Sequence, residues 1–366
     1  MIISVERSAL LDAVTRLQRA VGSKTSMPVL EGILLSAEQG KVTLISYNLE
    51  MGMKKEIYAR CEEEGDIVIN ARLLCDILRR MNAPQVIITA NEKLACNIKC
   101  GEATFDIMGM AAEDFPEMPF VGSDKKITID GKLLSEMVKG TFFAAAQNEG
   151  AKPILTGINV TIENGIMQFV AIDGYRLAIR KEKVDISDNF SFIVSGRAIG
   201  EAVKLIDEGT ENVEIRVGEN LISFNINGYE FISRLLEGEF VNYQKTIPSE
   251  HKQRVVVNTR ELIDTVERVS LLISETFSTP VRCYFNELNV VFTCATSMGR
   301  ATETFNTELE GEGFEIGLNS RYLLDALKAI EDEKIQILFN GANAGVLIKP
   351  LEGDDYTYMI MPMRLR

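Results

Sequence analysis

Histidine is almost missing from this sequence, since His251 is the only one among 366 residues. It lies in the polar stretch IPSEHKQR, which is typical of a linker, so the sequence argues against a Ser-His-Asp or Cys-His catalytic arrangement. The sequence contains no GxxxxGKS/T motif and no GxGxxG between a strand and a helix, so no motif in it indicates a nucleotide-binding loop. Carboxylates are plentiful at 53, but no spacing selects two of them as an acid–base pair. We therefore predict no catalytic residue and no cofactor.

Long apolar runs are missing too, and none approaches the roughly 20 residues of a membrane-spanning helix. The N-terminal stretch MIISVERSALLDAV carries acidic residues and no cleavable apolar region, so we expect neither a signal peptide nor a membrane partner. The six cysteines are typical of reduced thiols in a cytoplasmic protein. Cys96 and Cys100 have loose metal-ligand spacing, but no second pair follows, so we predict no metal site.

Six segments have the pattern of short amphipathic helices. Their apolar residues recur at helical spacing, as Leu10, Val14, Leu17 and Val21 do in the first segment. Five segments open with an apolar residue followed by Asn, Asp or Ser, the signature of a strand end followed by a helix N-cap. The predicted helices span residues 6–21, 70–82, 130–141, 195–208, 258–272 and 319–330.

The polar faces of these segments also match one another, because four of them share one order of base, acid and base. The four sets are Arg72, Asp76 and Arg79; Lys132, Glu136 and Lys139; Arg197, Glu201 and Lys204; and Arg321, Asp325 and Lys328. The fifth helix keeps Arg260 and Asp264, and the first keeps Asp12. At 100° per residue these groups form one stripe opposite the apolar one. One such stripe would be a solvated face with local ion pairs, whereas matched copies indicate a repeated unit.

The spacing of the copies indicates the domain organisation. Ile69, Val194 and Leu318 precede equivalent helices and are separated by 125 and 124 residues. The chain is therefore predicted to hold three α+β domains, each with two helices packed on antiparallel sheet formed by alternating segments such as GKVTLISYN. Polar joints at 119–126 and 247–254 place the domains at residues 1–122, 123–251 and 252–366. Strands end each domain, so neighbouring domains or chains could pair edge to edge.

Charge is distributed unevenly between the helices and the rest of the chain. The six predicted helices contain 14 basic and 12 acidic residues, a net charge of +2, while the other 284 residues carry −16. If the polar stripes line one surface, that surface is mildly positive and the remainder repels polyanions. Such a surface favours weak, sequence-independent contact with phosphates. A plain structural repeat that binds no nucleic acid is the alternative interpretation of the helices.

Motifs in all three predicted domains resemble the beta subunit of bacterial DNA polymerase III, the replication clamp family. They are VERSALL at the start, NLEM (48–51), DFP (114–116), AIDGYRLA (171–178), FVNY (240–243) and MPMRL (361–365). The resemblance covers the whole chain and implies a head-to-tail homodimeric ring around double-stranded DNA, without catalytic activity. It implies as partners the polymerase III alpha subunit, the clamp loader, and other polymerases and repair proteins that bind through short peptide motifs.

The sequence departs from the family pattern in two places. Val241 and Asn242 stand where the family often has proline and an acid, and Arg366 follows the usual terminal leucine. Two other functions remain open at this point. One is an enzyme of the same layout built around Asp173 and Arg176, and the other is a scaffold ring that binds proteins but not DNA.

The resemblance also implies three sets of site residues. The DNA-contacting set is Lys24, Arg72, Arg79, Arg80, Lys139, Glu149, Lys152, Arg197 and Lys204. The partner-peptide groove is formed by Leu155, Gly157, Ile172, Gly174, Tyr175, Arg176, Leu177, Val241, Thr246, Gly345, Met359, Ile360, Met361, Pro362, Met363, Arg364 and Leu365. The dimer interface is formed by Phe105, Ile107, Leu272 and Ile273. Flexible methionines in the groove would repack around different apolar side chains, and Arg176 and Arg364 would bind polar groups at its rim.

Overall fold

The computed structural model describes residues 1–22, 25–122, 125–147, 150–273 and 279–365. The chain divides into two compact units: unit 1 contains residues 1–134 and 198–235, and unit 2 contains residues 135–197 and 236–366. No helix among the described residues has the length and apolar character needed to cross a membrane.

All six predicted helices form. They are α1 (Arg7–Leu17), α2 (Ala71–Arg80), α3 (Gly131–Phe142), α4 (Gly196–Ala202), α5 (Thr259–Val269) and α6 (Ser320–Lys328). Short 3-10 turns over residues 18–20, 203–205 and 270–272 continue α1, α4 and α5, which accounts for the longer spans predicted there. Asn70, Asn258 and Asn319 accept backbone N–H bonds at the starts of their helices, as the N-cap pattern predicts.

Strands make up most of the remaining regular structure. The first thirteen are β1 (Ile2–Glu6), β2 (Gly32–Glu38), β3 (Lys41–Tyr47), β4 (Met51–Glu63), β5 (Gly65–Asn70), β6 (Gln85–Ala90), β7 (Ala95–Cys100), β8 (Ala103–Met108), β9 (Lys126–Asp130), β10 (Gly157–Glu163), β11 (Ile166–Ile172), β12 (Arg176–Lys183) and β13 (Phe190–Ser195). The others are β14 (Asn212–Val217), β15 (Leu221–Ile226), β16 (Tyr229–Arg234), β17 (Gln253–Asn258), β18 (Val281–Phe285), β19 (Asn289–Thr296), β20 (Gly299–Asn306), β21 (Leu309–Glu310), β22 (Phe314–Leu318), β23 (Lys334–Phe339), β24 (Val346–Pro350) and β25 (Tyr356–Ile360).

Unit 1 is built on one sheet of twelve strands. Its main path runs β8-β7-β6-β1-β4-β16-β15-β14-β9, and β2, β3 and β5 complete it through the pairing of β3 with β4. Strand β16 pairs antiparallel with β4, so that Tyr229 lies opposite Lys55 and Phe231 opposite Met53. We call this junction the first seam, because β4 comes from the first third of the chain and β16 from the second.

Unit 2 contains a nine-stranded sheet and a four-stranded sheet. The larger sheet runs β13-β10-β11-β12-β25-β24-β23-β17-β21, and the smaller runs β20-β19-β18-β22. Strand β25 pairs antiparallel with β12, with Tyr356 opposite Arg180 and Tyr358 opposite Ala178. We call this junction the second seam, because it joins the middle and last thirds of the chain in the same way as the first seam joins the first two.

The helices cover the sheets with their apolar faces. In α2 the side chains of Leu74, Ile77 and Leu78 are buried, as the helical spacing predicts. Helix α1 packs beside α2, and α5 packs beside α6, so each of these pairs forms one layer over a sheet. Buried apolar area of this kind contributes about 25 cal/mol per Å² to folding. The polar stripes of the helices therefore remain on the outside of that layer.

Candidate functional site

We use the name apolar hollow for the apolar surface of unit 2 beside the second seam, where the predicted groove residues meet. Its floor is the buried cluster Val170, Leu177, Ile179, Leu338, Leu347 and Met359, which comes from strands of both the middle and the last third of the chain. Half-buried Ile172, Phe240, Tyr243 and Ile247 pack against this cluster. The hollow therefore offers apolar side chains from several elements to a ligand that lies on the sheet.

The C-terminal segment forms one wall of this hollow. After β25, the backbone N–H of Met361 donates to the Tyr175 carbonyl at 2.8 Å, and the N–H of Met363 donates to the Gly317 carbonyl at 2.8 Å. Leu365 then packs directly on Gly317. The contact is so close that a Cβ atom added at Gly317 would come within 2.6 Å of the Leu365 Cδ2 atom. The tail is thus held in place by two backbone bonds and one side-chain contact.

Glycine 345 lets the methionines of the tail approach the sheet. A Cβ at this position would come within 2.8 Å of the Met359 sulfur and 3.5 Å of the Met361 sulfur. Met359 is buried, whereas Met361 is 38% exposed. One thioether therefore belongs to the floor and the other is available to a ligand, as expected for a site that must adapt its shape.

The DGYR turn lies directly beside the tail and is organised by Asp173. One carboxylate oxygen of Asp173 accepts the backbone N–H groups of Tyr175 and Arg176, each at 2.9 Å, and its other oxygen accepts Arg176 Nε at 3.0 Å. Gly174 has φ +91°, a conformation that glycine adopts without strain. This turn leaves the Tyr175 side chain 63% exposed beside the tail.

Arg176 is engaged inside the protein and not at the rim. Its side chain is largely buried, and its Nη1 donates to Asp325 at 2.6 Å in addition to the bond with Asp173. The guanidinium also lies 4.3 Å from the centre of the Tyr322 ring. The structure therefore gives Arg176 the role of tying the turn to α6, whereas Arg364 is exposed on the tail and lines a cleft with Arg282 and Arg300.

Tyr322 is the wall residue that the sequence did not indicate. Its ring centre lies 6.4 Å from that of Tyr175, with the two ring planes tilted by 32°, so the two tyrosines and Arg176 form one wall of the hollow. Burial, and then the nearby carboxylate of Asp173, raises the pKa of the Tyr322 hydroxyl. Asp325 belongs to the repeated polar stripe in the sequence, yet its carboxylate points to Arg176, which lies 149 residues away.

The remaining predicted groove residues lie around this hollow. Val241 and Thr246 are exposed on the segment that carries Phe240 and Tyr243. Leu155 is half-buried, whereas Gly157 is buried. A Cβ atom added at Gly157 would come within 2.6 Å of Leu236, so only glycine fits at this position. Ile360 is buried inside β25, so it supports the wall without facing a ligand.

Exposed bases lie on the outer faces of the helices and their flanking turns. Lys24 and Glu149 fall outside the described residues. The other predicted DNA-contacting residues are all exposed: Arg72, Arg79, Arg80, Lys139, Lys152, Arg197 and Lys204. Within the described part of the chain only Lys204 of this set forms an ion pair, with Glu201 at 2.7 Å. The other bases can therefore bind a phosphate without giving up a carboxylate.

Three of the four bases of α5 and α6 are engaged in ion pairs, and Arg321 is the exception among the described residues. Arg260 pairs with Asp264 at 3.2 Å, and Lys328 pairs with Glu267 at 2.6 Å. Arg268 binds the Glu303 carboxylate of β20. Carboxylates therefore occupy most of the bases on these two helices, whereas Arg72, Arg79 and Arg80 of α2 form no ion pair within the described part of the chain.

Two sheet edges expose apolar groups that were predicted to form a dimer interface. Phe105 lies on the end strand β8 and is 39% exposed, and Ile107 follows it on the same face. Leu272 and Ile273 are half-buried after α5, beside the start of the end strand β20, where Gly299 lies next to Leu272. Edge strands with apolar side chains are available for pairing with another chain.

The full length of the chain is similar to known clamp proteins. Models of the N-terminal, central and C-terminal domains of the DNA polymerase III beta subunit match residues 1–119, 128–242 and 244–364. The beta sliding clamp of Halalkalibacterium halodurans is 30% identical over 377 residues, which cover 98% of each chain. A crystal structure of the Bacillus subtilis sliding clamp is 28% identical, covers all of both chains and has a TM-score of 0.94. A Pseudomonas aeruginosa clamp bound to griselimycin is 27% identical over both full chains, with a TM-score of 0.91.

Three repeated α+β domains with this sheet pairing define the class of sliding clamps, which confirms the predicted fold class. The chain belongs to the DNA polymerase III beta subunit family. It is therefore a DNA sliding clamp, an accessory subunit of DNA replication and not an enzyme. The alternative of an enzyme built around Asp173 and Arg176 is wrong, because the family is that of sliding clamps, and the two side chains form an ion pair within the DGYR turn.

The tail contact at Gly317 leads to a first prediction. Gly317→Ala should displace Leu365 and weaken the binding of a fluorescent peptide from the polymerase III alpha subunit by about tenfold or more, because the new methyl group occupies the place of Leu365. Fluorescence anisotropy measures the change. Gly209→Ala is the matched control, since a Cβ there meets nothing closer than 3.6 Å. Equal affinity for both variants and the unmodified chain would show that the tail position does not matter.

Proposed function

We propose that two copies of this chain close head to tail into a ring around double-stranded DNA. In this ring the clamp slides without reading sequence, and it tethers the polymerase III alpha subunit, other polymerases and repair proteins through short peptides. A clamp loader opens and closes the ring. The domains extend over residues 1–122, 123–251 and 252–366, and the protein works in the cytoplasm.

The observation that carries this proposal is the apolar hollow beside the second seam. Its floor is a packed apolar cluster, its tyrosine wall is fixed by Arg176, and its methionine wall is held by the backbone bonds of the tail. A ligand peptide therefore meets a largely preorganised site. Since the floor is apolar and the adjoining tail carries the exposed Arg364, we infer that the occupant is a short peptide with apolar anchors and a polar or acidic group.

The exposed bases support the DNA part of the proposal. Six of them form no ion pair within the described residues, and they are spread over α2, α3, α4 and the turn before residue 153. Contacts of this kind fix a protein on the phosphate backbone without reading bases. Their small number is consistent with sliding, because each neutralised phosphate adds to affinity and to salt dependence.

Removing three of these bases should change the salt dependence of DNA loading. We expect Arg72→Ala, Arg79→Ala and Arg80→Ala together to reduce the slope of log loading against log salt concentration by roughly one unit per lost contact. Loading onto nicked circular DNA at several NaCl concentrations gives the slope. Arg60→Ala is the control, because Arg60 is exposed on β4 and pairs with Glu62. An unchanged slope in the triple variant would show that these residues do not contact DNA.

Processivity is the activity that tests the proposed function as a whole. On a primed single-stranded circle, polymerase and clamp loader should extend primers over much longer stretches when this protein is present. The expected result is a shift of product length at constant polymerase concentration in the presence of a trap for free polymerase. Products of the same length with and without the protein would reject the function.

A further inference from the structure

Each third of the chain contains a hairpin with the same pairing near its tip. The hairpins are β3–β4, β11–β12 and β19–β20, which follow one another at the same interval in the strand order. The paired positions near the three tips are Tyr47 with Gly52, Ile172 with Leu177, and Ala295 with Arg300. The surface at these tips can therefore be compared position by position among the three thirds.

In the first third, the irregular segment after β8 covers the tip of the hairpin. Met118 of this segment lies on Gly52, where an added Cβ atom would come within 2.8 Å of the Met118 sulfur. Phe115 of the same segment is buried in one cluster with Tyr47, and Met118 packs against that cluster. The chain itself therefore occupies this surface.

In the middle third, the segment after β16 lies in a similar position. Phe240 and Tyr243 pack against the buried cluster that contains Val170 and Leu177. The Tyr243 hydroxyl accepts a hydrogen bond from Gln168 Nε2 at 2.8 Å. Two of the three hairpins are thus contacted by a segment that follows the last strand of their third.

In the last third, the corresponding positions line an open cleft of about 1020 Å³. Arg300 stands where the middle third has Leu177, and Thr293 stands where it has Val170. Ala295 lies between them on the same side of the hairpin and also lines the cleft. The apolar floor of the middle third is therefore replaced here by small and polar side chains.

The cleft is cationic. Arg282, Arg300 and Arg364 line it, and no described acidic side chain does. Arg282 pairs with Glu315 at 3.2 Å, whereas Arg300 and Arg364 form no ion pair within the described part of the chain. The whole chain carries a net charge of −14, so three arginines around one cleft make a local positive potential on an acidic protein. Such a potential favours an anionic ligand.

The cleft also adjoins the apolar hollow, because the tail borders both. Met361 contacts Gly345 on the side of the hollow, and Met363 lines the cleft. Two residues of extended chain span at most about 7 Å. A peptide anchored in the hollow therefore reaches the cleft with only a few residues beyond its anchors.

We propose that this cleft binds an acidic segment that flanks the apolar anchors of a partner peptide. The segment lies on the tip of β19–β20, where the other two thirds carry segments of the chain itself. Its carboxylates bind Arg300 and Arg364, and Arg282 adds to the attraction. The inference rests on the proposed function, because it requires that a partner peptide occupies the hollow.

The expected effect is moderate and depends on salt. Exposed ion pairs each change affinity by severalfold at most, so three added carboxylates should raise peptide affinity by about fivefold at low ionic strength. The gain should largely disappear at about 0.5 M NaCl, because salt screens exposed charges. The apolar contacts in the hollow do not depend on salt in this way.

Fluorescence anisotropy with extended peptides tests the proposal. The alpha-subunit peptide is used alone and with three aspartates or three serines added at either its N-terminal or its C-terminal end. We expect one of the two aspartate peptides to bind about fivefold tighter than its serine counterpart. Arg282→Gln with Arg300→Gln should abolish this difference and leave the affinity for the unextended peptide unchanged. Arg260→Gln is the matched control, since Arg260 is exposed on α5 and does not line the cleft.

Two further measurements guard against an indirect effect. Arg300 lies on the end strand β20, so light scattering is used to check that the double variant has the same mass as the unmodified protein. Photo-crosslinking locates the extension without any substitution in the protein. A benzophenone at the end of the aspartate extension should label residues 279–300 or 363–365, and labelling elsewhere would overturn the proposal.

The outcomes separate this inference from the proposed function. Equal affinity for aspartate and serine peptides, or a gain that survives in the double variant, overturns the acidic-segment site while the hollow still binds the unextended peptide. No binding of the unextended peptide by the unmodified protein overturns the proposed function itself. Oligothymidylate that binds the unmodified protein but not the double variant, without any gain from aspartates, would assign the cleft to single-stranded nucleic acid and overturn the peptide proposal.

Discussion

A chain that lacks residues 362–366 is expected to lose the binding of partner peptides and of polymerase while still forming a ring and loading onto DNA. The truncation removes the bond from Met363 to Gly317 and the contact of Leu365, and with them the methionine wall of the hollow. It leaves β25 paired with β12 and β24 through Ile360, so the sheet is retained. We expect peptide affinity to fall by a hundredfold or more, which is about 2.7 kcal/mol.

Fluorescence anisotropy with the alpha-subunit peptide measures this loss, and light scattering measures the ring. A chain ending at Leu365 retains every described tail contact and is the matched control, with an affinity close to that of the full chain. Peptide binding at full strength by the shorter chain would show that the tail does not form the site. Loss of the dimer would show that the tail instead stabilises the fold.

The second large effect is expected at the dimer interface. Leu272→Ala with Ile273→Ala should give a folded monomer, because both side chains are half-buried in the single chain and the predicted dimer interface with Phe105 and Ile107 of a second copy covers them. Each truncation removes about 1–2 kcal/mol of apolar burial, and the ring contains two such interfaces. The dimer dissociation constant should therefore rise by roughly a thousandfold or more.

Light scattering at micromolar concentration measures the mass, and circular dichroism shows whether the variant is folded. Leu288→Ala is a suitable control, since Leu288 is 67% exposed in the turn between β18 and β19. A variant that remains a dimer would reject the interface assignment. An unfolded chain would show that the two residues belong to the core of the C-terminal domain.

The helices and the repeat could be predicted from the sequence because their signals are local. Asn70, Asn258 and Asn319 cap their helices through side chains two or three residues from the bonded N–H groups. The apolar positions of α2 follow from the 3.6-residue period alone. Domain count followed from the constant separation of the copies, which requires no knowledge of which strands pair.

The groove could be located from the sequence only by its resemblance to a family, and its construction could not. Arg176 binds Asp325 across 149 residues, and Tyr322 joins the wall only because that ion pair brings α6 to the turn. Met363 bridges to Gly317, which in the sequence is only the residue before a strand-ending leucine. No period or cap signals contacts of this kind, because they depend on how distant elements pack.

The stripe of the helices was predicted only in part. Its spacing is real, but the acids in it have different partners: Asp12 binds Tyr229 as well as Arg16 of its own helix, Asp325 binds Arg176, and Asp264 pairs with Arg260. The burial of Tyr229, and then its bond to Asp12, raises the pKa of the tyrosine hydroxyl, so this seam contact is expected to persist at neutral pH. The repeated sequence pattern therefore has two uses. Some of its acids bind residues of neighbouring elements, whereas its bases on α2 form no ion pair among the described residues and are free to bind phosphate.

Topological retention on DNA tests the central claim most directly. The protein is loaded onto a nicked circular plasmid by a clamp loader, free protein is removed by gel filtration, and the plasmid is then cut once with a restriction enzyme. A ring that encircles the duplex should stay with the circle and leave within minutes of the cut, even in salt that abolishes ordinary phosphate contacts. Equal retention on the cut and the uncut plasmid would contradict the account, because it would show that the protein binds the DNA surface without enclosing it.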